Sequence, residues 1–444
     1  MSTFFTNISN LWKINELREK IFLTLSLVIV YRFAAQVPLP GINISLAQEA
    51  LTNQAGGGGL LGLLDMFTGG AFSQASIVAL GIMPYISASI VVQLMTIAVP
   101  YLQKLQKEGE NGRRRITQIT RWLTIVITLV QGPAYITNIY NLIPSTAFYI
   151  DGSLFWFSSM VILTSGTVFS MWLGEKITNK GIGNGISLLI MIGIIARFPE
   201  SFVQEFTSKV EASQGGLFMI LLEIILFILI VVICVYLVTA IRKVIVQYAR
   251  NTVSNNISSI KTSRDFIPLK LNASGVMPII FAQAIMFAPS LLASSSNESV
   301  KNIGLEFQDI FGFWYNFVFS LLIVVFSFFY TAITIPTNKM ADDLKRNGGF
   351  LPGIKPGNPT ADVLDHILSL ITFPGSIFLA LVAILPTFVV KLGITQSWAL
   401  FYGGTSLLII VGVAIDTIQQ INSYLLNSHY DGLMKKGIKR NMLN

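Results

Sequence analysis

The chain has 444 residues, 53% hydrophobic and only 12% charged, whereas a soluble domain carries roughly a quarter charged residues. That deficit excludes an ordinary soluble fold. The formal charge of +8 comes with no nucleic-acid motif, and one cysteine (Cys234) with two separated histidines (His366 and His429) leaves neither a disulfide nor a metal-ligand set.

The first residues, MSTFFTNISNLWKINELREK, are polar and amphipathic and lack a cleavage site after a short apolar core. The reading therefore expects no removed signal peptide and a first span that serves as its own insertion signal. Ten apolar spans are predicted, starting near Ile21, Gln74, Ile119, Ser153, Gly185, Gly216, Ala273, Phe313, His366 and Ser397. Each run suits a hydrocarbon layer about 30 Å thick crossed at 1.5 Å per residue. Leu217 to Ile241 is the clearest, closed by Arg242 and Lys243.

Ahead of the second span, Gly56 to Gly59 lead into Leu60 to Gly70, a segment apolar enough to enter a membrane and too short to cross it. A re-entrant half-helix on the outer side is expected, with an interfacial helix and an external loop as the alternatives. Gly81 and Pro84 interrupt the second predicted span, Gly275 and Pro278 the seventh, and Pro374 and Pro386 the ninth. Each break is either a simple kink or non-helical backbone satisfied by protein or by a water-filled cavity. The polar segment from Arg197 to Gly215 divides the spans five and five, giving halves 1–200 and 201–444. An odd number of spans per half sets related halves in opposite orientations, an inverted repeat.

Ten spans put both termini on one side, and 25 of the 30 Lys and Arg residues fall on that side. The positive-inside rule makes it the cytoplasm. Arg32, Arg197, Lys209, Lys301 and Lys391 remain opposite. Within spans the charges are Arg32, Glu223 and Asp416. Arg32 and Asp416 stand near span ends, where they can snorkel, which leaves Glu223. An ion-coupled secondary transporter needs paired polar groups at midplane, and an intramembrane enzyme needs a nucleophile with a base, a carboxylate pair or metal ligands. One acid supplies neither, and no P-loop appears, so the reading expects no enzyme and no cofactor.

Seven long motifs, in order along the chain, then narrow the class. They are LREKIFLTLSLVIVYRFAAQVPLPGI (17–42), ALGIMPYISASIVVQL (79–94), KEGENGRRRITQITR (107–121), GEKITNKGIGNGISL (174–188), IPLKLNASGVMPIIFA (267–282), GGFLPGIKPG (348–357) and FYGGTSLLI (401–409). On these the chain resembles the SecY family, the central subunit of the bacterial protein-export channel, over essentially its full length.

The resemblance implies an all-α integral membrane protein of ten transmembrane helices in two inverted five-helix halves, with a re-entrant plug helix at about 60–70. It implies a pore ring at Ile82, Ile86, Ile186, Ile190, Ile280 and Ile409. Spacings of four put Ile82 with Ile86, and Ile186 with Ile190, on single helix faces, and a ring of branched apolar groups gates by dewetting. The plug positions are Leu60, Leu61, Leu64, Met66, Phe67, Gly69 and Gly70. A lateral gate would carry Gln93 and Gln283, hydrogen-bonded across helices when shut. Cytoplasmic loops at 242–270 and 339–362 would present Lys243, Arg250, Arg264, Lys345, Arg346 and Lys355 to a SecA-like motor ATPase or the ribosome. Solvated, topology-setting charge is the alternative for these six.

Further implied are small SecE-like and SecG-like membrane subunits, unfolded secretory and membrane proteins bearing signal sequences as substrates, release of apolar segments into the lipid bilayer, and a bacterial plasma-membrane location. Two departures stand out. Lys355 occupies a position usually held by arginine, whose planar fork lysine lacks, and Asn251 to Ser263 is poorer in basic residues than the family's loop.

Overall fold

The computed structural model describes residues 14–43, 60–150, 152–211, 216–248, 263–272, 275–290 and 298–441. The chain divides into two packing units, one of Met1–Glu211 with Thr395–Trp398 and Val413–Asn444, the other of Ala212–Ile394 with Ala399–Gly412.

In the first unit, α1 (Asn15–Gln36) is followed by the short α2 (Leu60–Thr68), then α3 (Met83–Ala98), α4 (Pro100–Lys107), α5 (Glu110–Leu142), α6 (Gly152–Lys180) and α7 (Gly185–Glu211). α3 lies against α5, α5 against α6, and α6 against α7. A buried cluster that includes Leu39, Phe72, Tyr135, Ile139, Phe155 and Leu163 packs within this unit. There the Tyr135 hydroxyl donates to the Phe72 carbonyl at 2.9 Å.

The second unit contains α8 (Gly216–Thr239), strands β1 (Ile241–Tyr248) and β2 (Ser263–Lys270), then α9 (Met277–Ser290), α10 (Glu298–Gln308), α11 (Phe313–Thr334) and α12 (Thr337–Arg346). Strand β3 (Gly349–Phe350) leads into α13 (Asn358–Lys391). The last two helices, α14 (Gln396–Tyr402) and α15 (Gly404–Asn441), are divided between the units: Thr395–Trp398 and Val413–Asn444 belong to the first and Ala399–Gly412 to the second. The strands form an antiparallel sheet in the order β2-β1-β3, with Ile241 opposite Lys270 and Gln247 opposite Phe350. The segments 242–270 and 339–362, separate loops in the sequence, are joined by this sheet. Alternation along β1 turns Val244 and Val246 inward, and Val244 meets Leu269, Leu351, Leu364 and Leu368 at the start of α13.

Among the described residues, seven helices are long and apolar enough to cross a membrane, or eight where the α3–α4 pair, bent by 98°, is counted as one span. The chain is therefore a multi-pass membrane protein. The expected ten are not all reached by that measure. α1 carries Glu16, Arg18, Glu19 and Lys20 in its first turns, and α9, with 14 residues, rises only about 21 Å at 1.5 Å per residue.

The predicted interruptions resolve into two kinds. The second span does not begin near Gln74: residues 69–82 run in turns, Gly81 adopts φ +53°, and the helix starts at Met83. Pro84 thus occupies the first turn of α3, where the missing N–H costs no helical bond. Pro278 likewise stands second in α9, after Gly275 at φ +64°. These glycines and prolines open helices instead of breaking them. Pro374 and Pro386 lie inside the continuous α13. The polar segment from Arg197 is no linker at its start, because α7 continues through Pro199 to Glu211.

Candidate functional site

The segment Leu60–Thr68 forms a nine-residue helix, about 13 Å long. Its end is a Schellman cap: the Gly70 amide donates to the Asp65 carbonyl at 2.9 Å and the Gly69 amide to the Met66 carbonyl at 3.2 Å. Gly69 at φ +66° and Gly70 at φ +89° supply the left-handed turn that side chains disfavour. Leu63, Asp65, Met66 and Phe67 are all buried, and Leu64 is partly buried. Of Leu60 and Leu61 only the backbone is described.

A carboxylate in so apolar a helix needs a partner, and Asp65 has two. It accepts the Ser73 amide at 2.7 Å and forms an ion pair with Arg197 on α7. Arg197 also donates to the Ser73 hydroxyl at 2.6 Å and pairs with Glu200 one turn further along α7. From α1, Arg32 donates to the Gly69 carbonyl at 2.9 Å, placing a cation at the carbonyl end of the short helix, where the dipole favours it. Arg32, four residues from the end of α1 and half-buried, thus meets a protein carbonyl as well as standing near a span end.

Backbone also meets backbone here. A Cβ on Gly193 of α7 would lie 2.5 Å from the Phe67 carbonyl oxygen and 3.3 Å from the Gly69 amide nitrogen, so only glycine lets α7 and the short helix approach this closely. Sequence reading missed Gly193, Asp65, Arg197, Ser73 and Glu200. The usable signal was Asp65, the one charge in LLGLLDMFTGG, set against Arg197, a basic residue on the side that carries few.

The other expected positions distribute as follows. Ile82 is buried just ahead of α3 and Ile86 is half-buried one turn on; Ile186 is half-buried and Ile190 buried in the first two turns of α7. These four share the first unit with α2. Ile280 is half-buried on α9 and Ile409 buried on α15, both in the second unit. Gln93 donates to the Ser89 hydroxyl of its own helix at 3.3 Å. Gln283 is buried, its Nε2 without a hydrogen-bond partner among the described residues.

Glu223 is buried on α8, where its backbone carbonyl accepts the Tyr402 hydroxyl at 2.8 Å, and Asp416 is exposed. Lys243 is exposed on β1 with its ammonium 4.8 Å from the Phe266 ring centroid. Lys345, Arg346 and Lys355 are exposed at the end of α12 and ahead of α13. Arg250, Asn251–Asn256 and the rest of that stretch up to residue 262 lie outside the described residues, as does the side chain of Arg264. Among the described residues no group of His, Cys, Asp and Glu is arranged to hold a metal ion.

The SecY family model matches residues 76–418. A protein translocase subunit SecY of Streptomyces scabiei is 37% identical over 442 residues, covering 97% of this chain and 100% of its own. The chain belongs to the SecY family. The SecY of Mycobacterium tuberculosis is 38% identical over 437 residues, with 95% of this chain and 97% of its own covered. A solved structure described as a protein-conducting channel superposes with a TM-score of 0.59 over 91% of each chain at 16% identity. A SecY structure described in terms of its plug domain and membrane seal gives 0.60 at 16% identity over the same shares. Sec61 in a canine ribosome-channel complex gives 0.54 over 91% of each chain. These likenesses establish the shared fold, and family membership makes the chain a subunit of a protein translocase.

Proposed function

We propose that this chain is the protein-conducting pore of a SecY-type translocase, with both termini cytoplasmic in a bacterial plasma membrane. It passes unfolded preproteins outward and releases apolar segments sideways into lipid. The observation that carries this reading is the short buried helix α2, turned back on itself at Gly69 and Gly70 and held in a cradle of α1 and α7. A plug needs those features: apolar, too short to span, and hinged at glycine. The waist is assigned to Ile82, Ile86, Ile186, Ile190, Ile280 and Ile409, whose branched side chains block ions by dewetting yet offer a sliding chain nothing to bind. Gln93 and Gln283 are assigned to the lateral gate, where interhelical hydrogen bonds are worth roughly 0.6 kcal/mol and yield readily to an apolar signal sequence.

Crosslinking from Ile86 and Ile190 to a secretory chain stalled during export tests the path: adducts at both, absent with a cytosolic chain, are expected. Replacing both isoleucines by glycine is expected to raise ion leak through the resting channel several-fold. Unchanged conductance removes these two from the ring.

Energy has to come from a partner. The ribosome-bound relative supports a ribosome as one, and a SecA-like motor with SecE-like and SecG-like subunits completes the proposed assembly. The chain's docking surface is assigned to Lys243 on β1, to Lys345 and Arg346 at the end of α12 ahead of β3, and to Lys355 between β3 and α13, all of them exposed. Reversing Lys345, Arg346 and Lys355 to glutamate is expected to weaken ribosome or motor binding about tenfold at low salt, and less as screening grows. Sedimentation with detergent-solubilised channel measures it, and salt-independent binding counts against this surface.

A further inference from the structure

We propose that Arg197 is a partner-exchange latch for the short helix α2, with Glu200 as the acceptor that holds Arg197 when α2 leaves. This rests on reading α2 as the plug.

In the seated state Arg197, whose side chain is only 17% exposed, is shared between the carboxylates of Asp65 and Glu200 and donates to the Ser73 hydroxyl. Only one of these three partners travels with the plug. Asp65 lies on α2 ahead of the Gly69–Gly70 turn, Ser73 lies beyond the turn, and Glu200 is on α7 itself, three residues from Arg197. Swinging α2 about the two glycines removes Asp65 and leaves Glu200 and Ser73 in place.

The arrangement therefore differs from an ordinary buried ion pair. Breaking such a pair strands an uncompensated charge and is strongly disfavoured. Here Glu200, 59% exposed at its side chain, keeps the cation neutralised throughout, while Asp65 moves toward water, which solvates a carboxylate well. Glu200 also sits beside Asp65's partner in the seated state, so the two acids compete for one guanidinium. Both effects make Glu200 favour release, whereas Asp65 favours seating. A cluster that merely braced the fold would make each pairing stabilising for the seated form.

The test is the resting potassium and chloride current of the intact translocase complex in planar bilayers. Asp65→Asn is expected to raise the open fraction about tenfold, since one lost charge-assisted contact of ~1.4 kcal/mol is a factor of ten. Glu200→Gln is expected to move it the other way, lowering resting current roughly twofold to threefold, the range of a solvent-exposed pair. In an Arg197→Gln background, itself leaky, Glu200→Gln is expected to change nothing further, because the two act through one group.

Leak from Glu200→Gln equal to that from Asp65→Asn overturns the exchange, as does a Glu200→Gln effect that persists without Arg197. Deleting residues 62–68 separates the two levels. If that deletion leaks and Asp65→Asn does not, the latch is wrong and the plug stands. If the deletion leaves the resting current unchanged, the plug reading itself fails.

Discussion

Gly193→Ala is expected to produce a channel that leaks ions at rest, about tenfold above the parent. A Cβ at this position would come 2.5 Å from the Phe67 carbonyl oxygen and 3.3 Å from the Phe67 carbonyl carbon, contacts with backbone that no rotamer change relieves. Overpacking of this kind costs ~1–3 kcal/mol, and each 1.4 kcal/mol is a factor of ten in an equilibrium. α7 itself is not harmed, since alanine is a better helix former than glycine. The strain therefore falls on the seat of α2 and pushes the two-state balance toward the unseated form. Gly132→Ala is the matched control. Its Cβ would meet the Met160 sulfur at 2.7 Å, the far part of a flexible side chain that re-packs readily, so its resting current should equal the parent's. Equal currents from both variants would separate the α2–α7 contact from closure.

The architecture was legible wherever a single segment determined it. Apolar runs announced the long helices α6, α7, α8, α11 and α13 because a span must satisfy its backbone within itself. Leu60 to Gly70 was legible as an apolar segment too short to cross a membrane; that it is helical over Leu60–Thr68 and capped at Gly69 and Gly70 came from the structure. Prolines were harder, since Pro84 and Pro278 stand at helix starts while Pro374 and Pro386 stand inside one, and residue type alone does not separate the two. β1 escaped notice because its alternation covers only eight residues and its partner strand begins 15 residues after it ends.

The cradle of α2 was the least visible part, for a physical reason: its energetics are pairwise and distant. Asp65 and Arg197 are 132 residues apart, and Arg32 and Gly69 are 37 apart. Each residue alone looked ordinary. Arg197 read as the start of an external polar segment and Arg32 as a snorkelling charge, because nothing local marks a charge whose partner belongs to another helix.

Trp398→Ala is expected to destabilise the first unit by about 3–5 kcal/mol, the range for emptying a large buried aromatic site. Thr395–Trp398 packs with the first unit although the residues on either side belong to the second, and two contacts hold it there. Trp398, 2% exposed, lies with its ring centroid 5.1 Å from that of Phe198 and 5.3 Å from that of Phe202, two side chains one turn apart on α7. Next to them the buried Glu205 carboxylate accepts the Thr395 amide at 2.9 Å and the Thr395 hydroxyl as well.

Glu205→Gln keeps the shape and one acceptor oxygen, so its loss should be smaller, ~1–3 kcal/mol for weakened buried hydrogen bonds. Trypsin cleavage after the exposed Lys391 reads out both, because release of 395–398 frees the start of α14 and lengthens the loose chain that follows α13. Cleavage should be fastest in Trp398→Ala, intermediate in Glu205→Gln and slowest in the parent. The reverse order for the two variants would make the carboxylate, not the aromatic sandwich, the main anchor. Either order bears on function. Glu205 lies two turns beyond Arg197 on α7, so the helix that holds α2 also fixes this connection, and loosening one end of α7 should be felt at the other as a raised resting current.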